Sequence, residues 1–423
     1  MIKTWGKING VNVDKKESSY PQDWLCEFQQ LIDEYIERHF PIMPVESTTT
    51  QRSEQIEKFL RSTENMMFNE MNRLTTVLKD AGLLGYLIQS YIHHLFTKLN
   101  LLVNGDISVN ETFCLLQWGK CVLFSPDLQD VFRACDPLLI SGWLERAKQK
   151  ILTILKDEIS RVLQNILDYE EEYDEDNERS MDDEWFIRVH TDVTQCLIPV
   201  IQNANKFSPT LMNSVQILCL DELYSFIQKY VNGEMKRLEN LQLINKKISH
   251  RTSNLRAKRN KLLETLQPLQ ANFVYLCKTI STCMKLRCLA VKISNLDENE
   301  SVDVLKQLED NVLFLVQNMM KHLAEVSLES YFEKSDEHIY KLTEEIEKQC
   351  ESLPQTQPAE EIRTIIANLA CNCVSRVYLD CLMKINFKKL QRRWKNVEER
   401  IRQDVQNLHE KFAQLVKIYI CVY

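Results

Sequence analysis

LKQLEDNVLFLVQNMMKHLAEV (residues 305–326) sets Leu305, Leu308, Val312, Leu315, Met319, Leu323 and Val326 apart by steps of three and four. At 3.6 residues per turn such steps return to one helix face, so the stretch predicts a long amphipathic helix. The pattern recurs at Leu144, Ala147, Ile151, Leu155, Ile159, Val162 and Ile166. It returns at Leu390, Trp394, Val397, Ile401, Val405, Leu408, Phe412 and Leu415. Each set predicts a helix of about 25 to 35 residues, longer than the globular mean. Long antiparallel helices with short connections bury their stripes against one another, so the expected fold is all-α, an elongated helical-bundle protein. No segment alternates as a half-buried strand would.

The breaks are few. PIMPVESTTTQ (41–51) reads as a linker, followed by a helix from about Ser53. VNGDISVNE (103–111) is a turn with Ser108 or Asn110 as the helix cap. SPDLQ (125–129) and DPLL (136–139) are corners, KFSPT (206–210) joins two helices, and NLDENES (295–301) is a turn. SLPQTQPAEE (352–361) is a linker with a Pro-led helix start. The expected domains are an N-terminal segment (1–50), a first bundle (51–183), a second bundle (184–352) and a C-terminal bundle (353–423). No fixed-period repeat is visible.

The composition narrows the class. With 44% apolar and 26% charged residues, the 423-residue chain has ordinary globular usage. Only 8 glycines disfavour β-rich folds and Gly-loop nucleotide enzymes. The 14 cysteines include no C-x-x-C pair and sit mostly in apolar helical patterns, so they read as reduced, buried small hydrophobes of a cytosolic protein. MIKTWGKING has no apolar signal core, and no apolar run approaches a bilayer-spanning length.

The basic run KKISHRTSNLRAKRNK (246–261) holds seven Lys or Arg in a chain of formal charge −8. Wound as one helix over 241–266, its leucines and isoleucines form a stripe, and Lys247, Arg251, Lys258 and Lys261 line up beside it. The plain reading is a solvated flank. The sharper one is contact with an anionic membrane or acidic partner, at about 1 kcal/mol per cation, enough to assist binding but not to anchor. Nucleic-acid binding is not expected, because the flanks are acidic. YEEEYDEDNERSMDDE (169–184) reads as a solvated acidic loop. From Asp174 a calcium frame would need Gly at position six and Glu at twelve, where the chain has Arg179 and Trp185. Cys371 and Cys373 point apart on a helix, and His93, His94 and His322 read as packing residues. No hydrolase, zinc-protease, P-loop or dinucleotide motif is present. No enzyme activity, metal or cofactor is expected.

Several segments carry a resemblance in order. FCLLQWGKCVLFSPDL (113–128), DVTQCLIPVIQNANKFSPTLMNSVQILCLDELYSFIQKY (192–230), ANFVYLCKTISTCMKLR (271–287), YLDCLMKINFKKLQRRW (378–394) and RIRQDVQNLHEKF (400–412) resemble successive helices of the exocyst complex component 3 (Sec-six) family. Length and the acidic interhelical stretch are most similar to its exocyst-component-3-like branch, which includes M-Sec (tumour necrosis factor alpha-induced protein 2). The resemblance implies an elongated rod of stacked antiparallel helical bundles, the tethering-complex architecture, and work by contact with exocyst subunits, SNARE proteins and a Ral-type small GTPase. It implies a cytoplasmic protein, peripheral at the plasma membrane, that acts in vesicle docking or in making membrane protrusions. A helical cytoskeletal scaffold is the alternative. The family's long N-terminal coiled coils and M-Sec's N-terminal polybasic segment have no counterpart, and the chain ends in VKIYICVY (416–423) where the family continues. The expectation is an incomplete last bundle that leaves Val416, Ile418, Ile420 and Val422 exposed.

Overall fold

Ser108 shows how these helices start. Its hydroxyl accepts from the Glu111 amide at 3.3 Å, and the Glu111 carboxylate accepts from the Ser108 amide at 2.9 Å. This reciprocal pair satisfies two amides that a helix start leaves unpaired. At the next joints Ser208 accepts from the Leu211 amide at 3.1 Å, and Thr356 accepts from the Ala359 amide ahead of a helix with Pro in its first turn. Three of the expected breaks are thus capped starts.

The structure is a computed structural model that describes residues 20–44, 49–126, 136–175, 183–253, 259–297, 299–334, 338–394 and 396–417. These residues form an all-α fold with no strand among them. The helices are α1 (Tyr20–His39), α2 (Thr49–Ala81), α3 (Leu84–Asn104), α4 (Val109–Leu123), α5 (Pro137–Glu175), α6 (Asp183–Phe207) and α7 (Pro209–Ser253). They continue with α8 (Arg259–Ser294), α9 (Glu300–Lys334), α10 (His338–Glu351), α11 (Gln357–Lys384), α12 (Phe387–Arg393) and α13 (Val397–Lys417).

The chain divides into two compact units, Met1–Glu158 with Ala204–Ser214, and Ile159–Asn203 with Val215–Tyr423. In the first, α3 packs on α1 and α2, and α4 on α2. Its core includes Ile36, Ile56, Leu87, Tyr91, Leu99, Leu115 and Trp143. Asp33 joins α1 to α3, accepting from the Tyr86 hydroxyl at 2.8 Å and from Ser90. In the second unit α9 packs closely on α8, α10 and α11, and α13 on α11. Phe273, Cys277, Leu305, Leu308, Val312, Ile366, Ala370 and Val374 are buried there. The small buried side chains Ala367 and Ala370 let helix backbones approach closely.

Some expectations are corrected. The stripe from Leu390 to Leu415 is split between α12 and α13, because the chain turns out of helical geometry at Trp394 (φ −102°, ψ 67°). Within it Val405 is 54% exposed and Asp404 is buried, since Asp404 accepts from the Tyr331 and Tyr378 hydroxyls at 2.6 and 2.7 Å. Val162 is exposed and the neighbouring Leu163 buried. The acidic stretch is not a loop as far as Glu175, where α5 ends. Cys26, Cys121 and Cys288 are exposed rather than buried. Among the described residues one helix, α11, is long and apolar enough to cross a membrane by length and composition. Its apolar faces meet α8, α9, α10 and α13. The fully buried Arg363 on it donates to the carbonyls of Cys350 (3.1 Å) and Pro354 (2.6 Å). Residues 418–423, with the expected exposed Ile418, Ile420 and Val422, lie outside the described residues.

Candidate functional site

Helix α6 buries one stripe, Phe186, Val189, Val193 and Leu197, and turns Glu184, Arg188, Asp192, Gln195 and Cys196 toward the second half of α5. Together with Val162, Asn165, Ile166 and Tyr169 they line an open groove of about 590 Å³ within the second unit. The Arg188 guanidinium stands 4.6 Å from the centre of the Tyr169 ring, a cation–π contact that stiffens one wall. Burial pushes the Asp192 carboxyl up against the pull of Arg188, and the charges of Glu170 and Glu184 add to the rise.

Beside the groove Lys278 and Glu170 form a buried ion pair, 2% and 9% exposed. The Lys278 ammonium also lies 4.0 Å from the centre of the Trp185 ring. Two buried charges are tolerated here because each has the other and the aromatic face takes the remaining side. A turn further along α6, His190 has its Nδ1 buried. Burial, then the charge of Lys285, lower its pKa to about 4, while Glu361 opposes. Lys285 and Glu361 pair at 2.8 Å. His190 is therefore neutral at pH 7.

Burial pushes the Cys196 thiol up to about 11, so it is protonated at neutral pH and a poor nucleophile. Cys219 and Cys350 are raised to about 12 and 11 in the same way. Among the described residues no group of three or more His, Cys, Asp or Glu could hold a metal. What the groove offers is an aromatic ring, a cation, two acids and two aliphatic side chains, which suits side chains of another helix or a peptide.

Of the four cations expected to form one stripe, three lie on described helices. Lys247 and Arg251 are on α7, which ends at Ser253; Lys261 is on α8, which begins at Arg259; Lys258 lies outside the described residues. The groove and the Lys278–Glu170 pair are absent from the sequence reading. Their one signal was Lys278 inside the apolar run ANFVYLCKTISTC, a charge on a face that is otherwise all core. A second basic stretch, KINFKKLQRRW (384–394), is described by the structure: Lys384, Phe387, Lys388, Lys389 and Arg392 are exposed.

No protein-family model matches the chain. No curated protein matches it either. Among solved structures the chain is similar to the crystal structure of M-Sec, with a TM-score of 0.57 and 14% sequence identity, over 95% of this chain and 68% of that one. The likeness shows an all-α helical fold shared with M-Sec.

Proposed function

We propose that this chain is a non-enzymatic interaction protein of the exocyst-tether type. It acts in vesicle docking at the cytoplasmic face of the plasma membrane through contacts with exocyst subunits and SNARE proteins. The observation that carries this reading is the helical fold shared with M-Sec along 95% of the chain. The ordered segments between residues 113 and 412, which resemble the exocyst complex component 3 family, support it from the sequence side. Contacts are spread over the bundles proposed at 51–183, 184–352 and 353–423, and the groove between α5 and α6 receives one of them. The M-Sec likeness also supports a second reading in the same class, promotion of membrane protrusions together with a Ral-type GTPase.

Tagged chain captured from cytosol, with its companions identified by mass spectrometry, tests the proposal. Recovery of exocyst subunits, SNARE proteins or a Ral-type GTPase is the expected result. Recovery of cytoskeletal proteins alone would favour the scaffold alternative and reject the tether.

A further inference from the structure

The end of α11 and the short α12 carry apolar and cationic side chains that are exposed together. Leu379 is 56%, Met383 77% and Phe387 61% exposed. Lys384, Lys388, Lys389 and Arg392 are exposed among them, with one exposed acid, Asp380, beside Leu379 and no Asp or Glu from Cys381 to Val397. The segment is held firmly from beneath. Leu390 and Trp394 are buried, and Arg393 donates to the Phe332 carbonyl at 2.6 Å. The Asn386 side chain accepts from the Lys388 and Lys389 amides at 3.0 and 3.4 Å. The anchors face the bundle, and the cations, Met383 and Phe387 face out.

We propose that this surface seats the protein on an anionic lipid bilayer, with the three lysines and Arg392 among the headgroups and Met383 and Phe387 at the acyl boundary. Charge decides the partner first. A chain of formal charge −8 is repelled by an anionic leaflet except where cations outnumber acids, as the four here outnumber Asp380. Screening confines that attraction to about 10 Å, so the cations must themselves meet the surface. The apolar side chains decide it further. A phosphate backbone would pair the cations but offer no apolar phase to Leu379 and Met383, whereas a bilayer offers both. The inference rests on this patch and stands apart from the tether reading.

Flotation of the purified full chain with phosphatidylcholine vesicles, with and without phosphatidylserine, tests it. Binding is expected only with phosphatidylserine. Neutralising Lys384, Lys388, Lys389 and Arg392 to Gln should weaken it several hundredfold, at about fivefold per cation. Neutralising Lys247, Arg251, Lys258 and Lys261 to Gln changes the net charge equally and should leave most of the binding. Met383→Ser with Phe387→Ser should weaken the binding that survives high salt. Equal losses in the two quadruple variants would reduce the effect to net charge and overturn the assignment. So would an absence of phosphatidylserine-dependent binding in the unaltered chain. Vesicle binding that is unchanged in the patch variant, with a captured protein lost instead, would make the patch a protein-docking face and overturn it as well.

Discussion

Lys278 is the residue with the most at stake, a 2%-exposed ammonium held by Glu170 and the Trp185 ring. Breaking such a pair from one side leaves a buried charge without its partner, whereas replacing both sides by apolar groups does not. Lys278→Met should therefore cost about 3–5 kcal/mol in urea denaturation, and Lys278→Met with Glu170→Leu much less. A double variant as unstable as the single one would show that the pair is not the unit. His190 gives a pH signature. Its folded pKa of about 4 lies below the unfolded 6.5, so the folded state holds the neutral ring and the unfolded chain takes up the proton first. The stabilisation is complete above pH 6.5 and drains away as pH falls toward 4, by at most about 3 kcal/mol. Denaturation midpoints measured from pH 7 to 4.5 should fall more steeply for the unaltered chain than for His190→Gln. Parallel curves would mean that the ring is not desolvated.

At the scale of elements two glycines inside helices should respond oppositely to alanine. A Cβ at Gly119 on α4 would come 2.7 Å from Cζ3 of the fully buried Trp143, while one at Gly233 on α7 meets nothing within 4 Å. Gly233→Ala should stabilise by about 1 kcal/mol through helix propensity, and Gly119→Ala should destabilise by about 1–2 kcal/mol because overpacking exceeds that gain. Thermal melts check both, and a stabilised Gly119→Ala would contradict the close approach of α4 to α5. Elements are also where the sequence was most readable. Leu305, Leu308, Val312 and Leu315 are buried as their spacing predicts, and Ser108 caps α4. What spacing could not reveal is a polar side chain on a buried stripe. Asp404 occupies a core position that periodicity assigned to Val405, since what buries it is two tyrosine hydroxyls 73 and 26 residues away in sequence. Glu170 hid in the same way among the acids of a stretch that looks solvated, because its partner Lys278 is 108 residues further on. The groove between α5 and α6 was equally illegible, since which helices adjoin is a tertiary fact.

For the whole molecule, the all-α fold is similar to that of M-Sec, and the proposed work by contact rests on its surfaces. Two of those surfaces have defined chemistry: the mixed groove with Arg188 over Tyr169, and the basic, apolar patch at Met383–Arg392. The first suits a protein segment and the second a lipid face, a division of labour consistent with a protein that links the two. The most direct measurement of the tether claim is a calorimetric titration of the purified chain with purified exocyst subunits. A saturable complex with a Kd of about 1 μM or tighter, equivalent to roughly −8 kcal/mol, is the predicted result. No heat of binding with any subunit up to about 100 μM, where affinity would be weaker than roughly −5.5 kcal/mol, would contradict it.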